Sequence, residues 1–343
     1  MMSNRPTMQD VADLAGVSLS TVDRILSGRS KVKPATLRHV LEVAGRIGFH
    51  GVPVIRERLS ETVPEARLGF LLNGNERALY ADFAQRLTER TRASSKIRGT
   101  AEIRHLQSVA PAEAAGELLR LGQSCSAIAA VAVDAPEVHA AVASLALRGI
   151  PVFSMLSDIT CPAVAGHAGA DPRKMGRGAG WMMHRLCWRP GRVALFLGSR
   201  GYSAHRGYEA GFRSYLEEHC SPLLLLPPAE TGESDAAAEA LAAEILQSEP
   251  EIAAILVAGG GLHGVLRAIA ADGRSGLVVI GTELGATVDA ALSEGRVDAV
   301  LSHPTREVVE AVVAMMESAV VFGSPPERQQ QGVPVEIRIS ETV

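Results

Sequence analysis

Leu19, Ser20 and Arg24 fall close together in the chain, and their side chains are of the kinds that meet base-pair edges. A guanidinium offers two parallel donors that fit the N7 and O6 of guanine, and an aliphatic tip fits a thymine methyl. Around them Thr7, Thr21, Arg29 and Lys33 supply hydroxyls and cations suited to phosphate oxygens, contacts that fix register without reading sequence. Asp23 is the awkward member, since a carboxylate near phosphate repels. It pairs with a neighbouring arginine or accepts from a cytosine amino group.

These side chains need short helices to present them. Thr7 caps a first helix whose inward residues Val11, Ala12 and Ala15 recur at helical spacing. Gly16 stands where that helix stops and the backbone needs positive φ. Ser18 caps a second helix, with Val22, Ile25 and Leu26 turned inward and Leu19, Ser20, Thr21 and Arg24 turned outward. A third helix begins at Pro34 and packs through Leu37, Val40, Leu41 and Ala44. Two helices joined by a glycine turn make a helix-turn-helix, whose second helix enters a major groove.

Asp10-Val11-Ala12, Ala15-Gly16-Val17-Ser18, Ser20-Thr21-Val22 and Arg24-Ile25-Leu26 resemble the headpiece signature of the LacI/GalR family of transcriptional regulators, and Val32, Thr36 and Gly48-Phe49 continue the likeness. The resemblance implies a homodimer on a palindromic double-stranded DNA operator. It also implies a periplasmic-binding-protein-like domain for a small effector, a sugar, polyol or cyclitol. In that family a hinge helix follows the headpiece and pushes a leucine into the minor groove, and Leu59 falls at that place. Such a wedge unstacks a base step at a cost of a few kcal/mol. Arg56 and Glu57 occupy two positions that are usually small, so a charged linker with Leu59 packed on the body is the other reading.

Charge is distributed to match. Residues 1–60 carry nine Lys and Arg against five Asp and Glu, hence +4, while the whole chain of 343 residues is −4. The positive field therefore sits on the segment that would meet phosphate. Hydrophobic residues make up 47% and aromatics only 4%, which favours an α/β core built from Ala, Val and Leu. Cys125, Cys161, Cys187 and Cys220 lack metal-ligand or redox spacing and read as free thiols. No signal peptide or membrane span is legible, so the expectation is a cytoplasmic protein without a cofactor.

The expected organisation is an all-α headpiece (1–50), a hinge and linker (51–66) and a two-lobed α/β body with parallel sheets (67–343). The first lobe would take about 67–188 plus 301–323, and the second about 189–300 plus 330–343. From Arg67 onward apolar runs such as Leu68–Leu72, Ile128–Val133, Val193–Leu197, Ile252–Val257 and Leu277–Ile280 alternate with helical stretches. The last residues, 334–343, read as a final strand.

Ligands in such folds bind beyond the carboxyl ends of the strands. Those ends hold Asn73 and Asn75, Asp134, Ser154, Ser199-Arg200, Gly259-Gly260-Gly261 with His263, Glu283 and His303. Their order resembles sugar-binding members of the periplasmic-binding-protein group, in which a carboxylate at the place of Asp134 meets sugar hydroxyls. Glu283 stands where that resemblance expects Asp, His303 where it expects Gln, Gly260 where it expects Asn or Asp, and Tyr208 where it expects Arg. The candidate effector contacts are thus Asn73, Tyr80, Phe83, Asp134, Arg206, Gly260, Glu283 and His303. Tyr80 and Phe83 stack on a sugar ring or pack in the core. Arg200 and Arg206 meet an anionic ligand or are simply solvated. Asp171, before Pro172, reads as a helix cap.

Three classes compete. An effector-controlled repressor explains headpiece, hinge and body together. A solute-binding sensor shares only the body. An enzyme using the cleft would need a nucleophile elbow, a metal cluster or a dinucleotide fingerprint, and His205, Asp134 and Glu283 come with none.

Overall fold

The computed structural model describes residues 6–29, 32–74, 77–325 and 327–343, excepting the side chains of 34, 35 and 59–62. The chain divides into two compact units, the first formed by residues up to Glu65 with Ser95–Arg98, the second by the remainder.

The first unit is helical, with α1 (Met8–Ala15), α2 (Leu19–Ser27), α3 (Pro34–Ile47) and α4 (Val52–Thr62). Thr7 and Asp10 form a reciprocal capping box on α1, and Ser18 caps α2 by accepting from the Thr21 amide. Gly16 ends α1 at φ 62°, a left-handed conformation that a side chain would strain. Val11, Ala12, Ala15, Val22, Ile25, Leu37, Val40 and Ala44 close one core. Ile55 of α4 is fully buried in that core, so the segment read as a hinge begins as an integral fourth helix. Leu59 lies within α4, but its side chain is outside the described residues.

The second unit is two sheets with covering helices. Its elements in order are β1 (Glu65–Leu72), α5 (Ala78–Arg92), β2 (Arg98–His105), α6 (Pro111–Leu121), β3 (Ala127–Ala130), α7 (Pro136–Leu147), β4 (Val152–Met155), β5 (Gly166–Gly169), α8 (Pro172–Leu186) and β6 (Gly191–Leu197). They continue with α9 (Ser203–Glu218), β7 (Leu223–Leu225), β8 (Ala229–Glu230), α10 (Asp235–Ser248), β9 (Ile252–Ala258), α11 (Leu262–Asp272), β10 (Val278–Gly281), α12 (Ala286–Ser293), β11 (Ala299–Ser302), α13 (Thr305–Phe322), β12 (Gln329–Gly332) and β13 (Glu336–Arg338). One sheet runs β12-β5-β4-β3-β1-β2, the other β13-β11-β10-β9-β6-β7 with β8 beside β6. The central strands pair in parallel, β1 with β3 and β3 with β4 in one sheet, β6 with β9 and β9 with β10 in the other, while β13 lies antiparallel to β11. Strands such as β3, β9 and β10 are buried throughout, as continuous apolar runs covered on both faces must be.

The partition between lobes differs from the sequence expectation at three places. Residues 172–186, expected in the first lobe, form α8, which packs on α9, β10 and β11 of the second sheet. The cause is a small-residue face: Gly176 lies against the Tyr208 carbonyl and Gly211 of α9 against the Arg173 carbonyl, so the helices meet backbone to backbone. The first crossing is thus at Ala170-Asp171, where Asp171 caps α8. Residues 301–302 belong to β11 of the second sheet, and 329–332 form an edge strand of the first. The tail read as one long strand is β13 followed by a 3-10 turn at Ser340–Thr342.

Candidate functional site

The first unit presents Leu19, Ser20, Asp23 and Arg24 on the exposed side of α2, with Leu19 41% exposed despite its apolar side chain. Arg24 folds back along the helix, its Nε donating to the Ser20 carbonyl at 3.1 Å and an Nη to Thr21 Oγ1 at 3.1 Å. Ser18 Oγ lies 2.9 Å from both Ser20 Oγ and Thr21 Oγ1. The polar tips of α2 thus satisfy one another and must exchange partners to meet a base edge. Thr7, Arg29 and Lys33 are exposed, and Thr7 Oγ1 is engaged by Asp10 at 2.7 Å.

The second unit has its cleft where the strands of both sheets end. An inner cavity of about 50 Å³ is lined by Asn73, Tyr80, Phe83, Glu283 and His303 from the sequence candidates, with Arg77, Tyr202, His205, Tyr208 and Glu233 in addition. That volume admits a few waters and no sugar ring. Outside it an open cavity of about 600 Å³ is lined by Asn73, Arg77, Glu233, Asp235, His263 and Glu283, among others. Its size falls within the roughly 300–1,000 Å³ typical of small-molecule sites. Arg77, Glu233 and Glu283 border both spaces.

Arg77 is the hub. It follows β1 at the cap position of α5 and makes ion pairs with both Glu233 and Glu283 of the other lobe. Burial opposes its charge, but Glu233 together with Tyr80 and Tyr202 outweighs it and leaves the guanidinium pKa raised. Glu233 is set by its backbone at φ 64°, a conformation that costs a non-glycine residue about 1–3 kcal/mol. Its carboxylate packs over two glycines. A Cβ on Gly260 would come within 2.6 Å of Glu233 Oε2, and one on Gly198 would overlap the other oxygen. The Gly260 amide donates to Glu233 Oε2 at 3.0 Å.

The neutral part of the site is built from phenols, an amide and imidazoles. Tyr202 donates to Asn73 Oδ1 at 2.9 Å, and Asn73 Nδ2 donates to the Tyr80 hydroxyl at 3.1 Å. Burial pushes the Tyr80 phenol up to about 12. His303 accepts from the Ala170 amide at Nδ1 (3.0 Å) and meets the Tyr208 hydroxyl at Nε2 (2.9 Å). Burial, aided by His167 and His205, holds its pKa down to about 3. Burial likewise depresses His205, against the pull of Glu233.

Three candidates are not brought to the cavities. Asp134 accepts from the Thr160 amide (2.9 Å) and Arg206 (3.0 Å) and meets His139 (2.7 Å), so its oxygens are used within the protein. Arg206 is tied to Asp134 and to the Arg200 carbonyl at 2.6 Å. Gly260 lies beneath Glu233 and lines neither space. Phe83 lines the inner cavity yet is fully buried, a wall more than an open platform. The sequence reading missed Arg77, Tyr202 and Glu233 as site residues. The turn Asn73-Gly74 before Arg77 and the loop Thr231-Gly232-Glu233 were the available signals, the latter hidden because β7 and β8 are too short to register as strands. Among the described residues no group of three or more His, Cys, Asp and Glu is placed to hold a metal ion, and no helix is long and apolar enough to cross a membrane.

A helix-turn-helix unit with a two-lobed α/β body and a polar cleft defines a DNA-binding regulator with a ligand domain. The profile of bacterial regulatory proteins of the lacI family matches residues 7–51, and that of the periplasmic binding protein domain matches residues 112–324. The chain belongs to the lacI family of transcriptional regulators and carries a periplasmic-binding-protein domain. Catabolite control protein A of Priestia megaterium is 34% identical over 79 residues at the N-terminal end, 23% of either chain, so the match spans less than a quarter of that relative. Solved structures share the fold of the body. A solute-binding protein of Agrobacterium vitis bound with α-D-tagatopyranose has a TM-score of 0.73 at 16% identity, covering 81% of this chain and 95% of its own. One of Burkholderia graminis in complex with D-arabinose has 0.72 at 14%, covering 81% and 96%. The glucose-galactose binding protein GanP of Geobacillus stearothermophilus has 0.70 at 16%, covering 81% and 99%.

Proposed function

We propose that the protein is a cytoplasmic, homodimeric repressor of a palindromic operator, released or recruited by a small polyhydroxylated effector, a sugar, polyol or cyclitol. The observation that carries the reading is an outward-facing Leu19, Ser20 and Arg24 on a capped second helix, in a chain that also has a polar cleft between two lobes. In this reading Leu19, Ser20 and Arg24 meet base edges, with Thr7, Thr21, Arg29 and Lys33 on phosphate, and Leu59 is the minor-groove wedge. The effector meets Asn73 and Glu283, joined by Arg77 and Glu233, in the outer cavity, and meets Tyr80 and His303 when the lobes open and the inner cavity widens. Sugars named with the structurally similar proteins support that ligand class. The cleft is a binding site and not a catalytic one.

Control follows from the cross-lobe contacts. An effector shifts the balance between open and closed lobes only by binding one state more tightly. Selection of random duplexes by the purified protein at near-physiological salt tests the reading. An enriched palindrome supports it; enrichment no greater than that of a chain lacking residues 1–50 refutes it.

A further inference from the structure

The outer cavity holds more negative charge than it neutralises. Among the described residues, Glu233, Asp235 and Glu283 line it against one permanent cation, Arg77. The Glu233 and Glu283 side chains are only 11% and 10% exposed, so water screens them poorly.

The hydrogen bonding is incomplete in the same place. Glu233 Oε2 is taken by Arg77 and the Gly260 amide, whereas Oε1 has His205 Nε2 at 3.7 Å and, among the described residues, no hydrogen bond. Among the described residues Arg77 Nε is buried without a partner. Glu233 is held at a strained φ, with Oε1 against Gly198, Gly259 and His205 and Oε2 beside Arg77 and Gly260. A carboxylated or phosphorylated effector would add negative charge to an excess already there. Arg206, the cation best suited by sequence to such a ligand, is bound to Asp134 elsewhere.

We propose that the effector carries one protonated amino group, as an amino sugar or amino cyclitol does, seated against Glu233 and Glu283 beside Arg77. The amine would donate to the Glu233 and Glu283 carboxylates, and hydroxyls would complete the contacts at Asn73 and His263. This rests on the reading of the cleft as the effector site and narrows its ligand class.

The test titrates the full chain at neutral pH with glucosamine, galactosamine and scyllo-inosamine, each beside its neutral counterpart (glucose, galactose, scyllo-inositol), with glucuronate and galacturonate as acids. The expected result is an aminated probe bound about tenfold or more tightly than its neutral counterpart, with the acids weakest. Glu233→Gln and Glu283→Gln should each abolish that preference, circular dichroism checking the fold, and two variants guard against one failing to fold. Neutral or acidic probes binding as well, no aminated probe binding, or a preference that survives both substitutions overturns the proposal. Duplex selection on the same preparation separates the two readings. An enriched palindrome with neutral sugars preferred removes only the amine; a preferred amine without DNA enrichment removes only the repressor.

Discussion

The Tyr202 hydroxyl donates to Asn73 Oδ1 at 2.9 Å, so the end of β1 in one lobe is bonded to the start of α9 in the other. Both residues are buried, and Asn73 passes the chain of bonds on to Tyr80. Tyr202→Phe keeps the ring and removes the donor. It should cost about 1 kcal/mol in the body and shift the lobes toward opening. Asn73→Ala strands two buried hydroxyls and should cost about 1–3 kcal/mol. Thermal unfolding gives the first quantity and small-angle scattering the second; a Tyr202→Phe protein unchanged in both would show that this bond does not hold the cleft shut.

The meeting of α8 and α9 yields a sharper contrast. A Cβ on Gly211 would overlap the Arg173 carbonyl, which is backbone and cannot swing away. Gly211→Ala should therefore destabilise by about 1–3 kcal/mol. Gly116, inside α6, has open space around it, and Gly116→Ala should stabilise by about 0.4–1 kcal/mol. Chemical denaturation of the two variants should move the midpoint in opposite directions, and a shift of the same sign in both would refute the packing account.

The headpiece was legible because local chemistry sets it. Thr7, Gly16, Ser18 and the inward apolar residues each act within a turn of helix, and each takes the place its type and spacing require. The βαβ rhythm of the body was legible for the same reason. What escaped the sequence depends on distant partners. Arg77 gains its role from Glu233, 156 residues away, and from Glu283. Helix α8 was placed with the wrong lobe because only its glycine face, read together with that of α9, tells where it packs. Asp134 is at a strand end as expected, yet Thr160, His139 and Arg206 consume its oxygens, which strand order alone does not reveal.

Arg24 and Thr7 separate reading from positioning. Arg24→Ala should cost about 1–3 kcal/mol of discrimination at one symmetric base pair while leaving the fold intact, since its bonds to Ser20 and Thr21 are exposed. Thr7→Ala breaks the capping box and should cost about 1 kcal/mol of headpiece stability, weakening binding to all sequences alike. Repeating the duplex selection with each variant distinguishes them. An unchanged motif with Arg24→Ala would remove Arg24 from the base-reading set.

His303 gives the body an acid-sensitive lock. Its Nδ1 accepts the Ala170 amide, so the neutral ring carries its proton on Nε2 and donates it to the Tyr208 oxygen. Ala170 lies at one lobe crossing and His303 at another, so this imidazole joins two connecting segments. Burial keeps its pKa down to about 3, whereas an unfolded chain protonates histidine near 6.5. The stabilisation is complete above about pH 6.5 and is lost as pH falls toward 3, because the unfolded state takes up a proton that the folded state refuses. Between pH 7 and pH 5 the loss from this residue alone should be about 2 kcal/mol. His205 and His167 are also depressed by burial and act in the same direction. His303→Gln replaces the imidazole with an amide that does not titrate and should flatten the fall in melting temperature over that interval. An equally steep fall in His303→Gln would assign the acid sensitivity to His205 and His167 and leave His303 a purely neutral strut between the crossings.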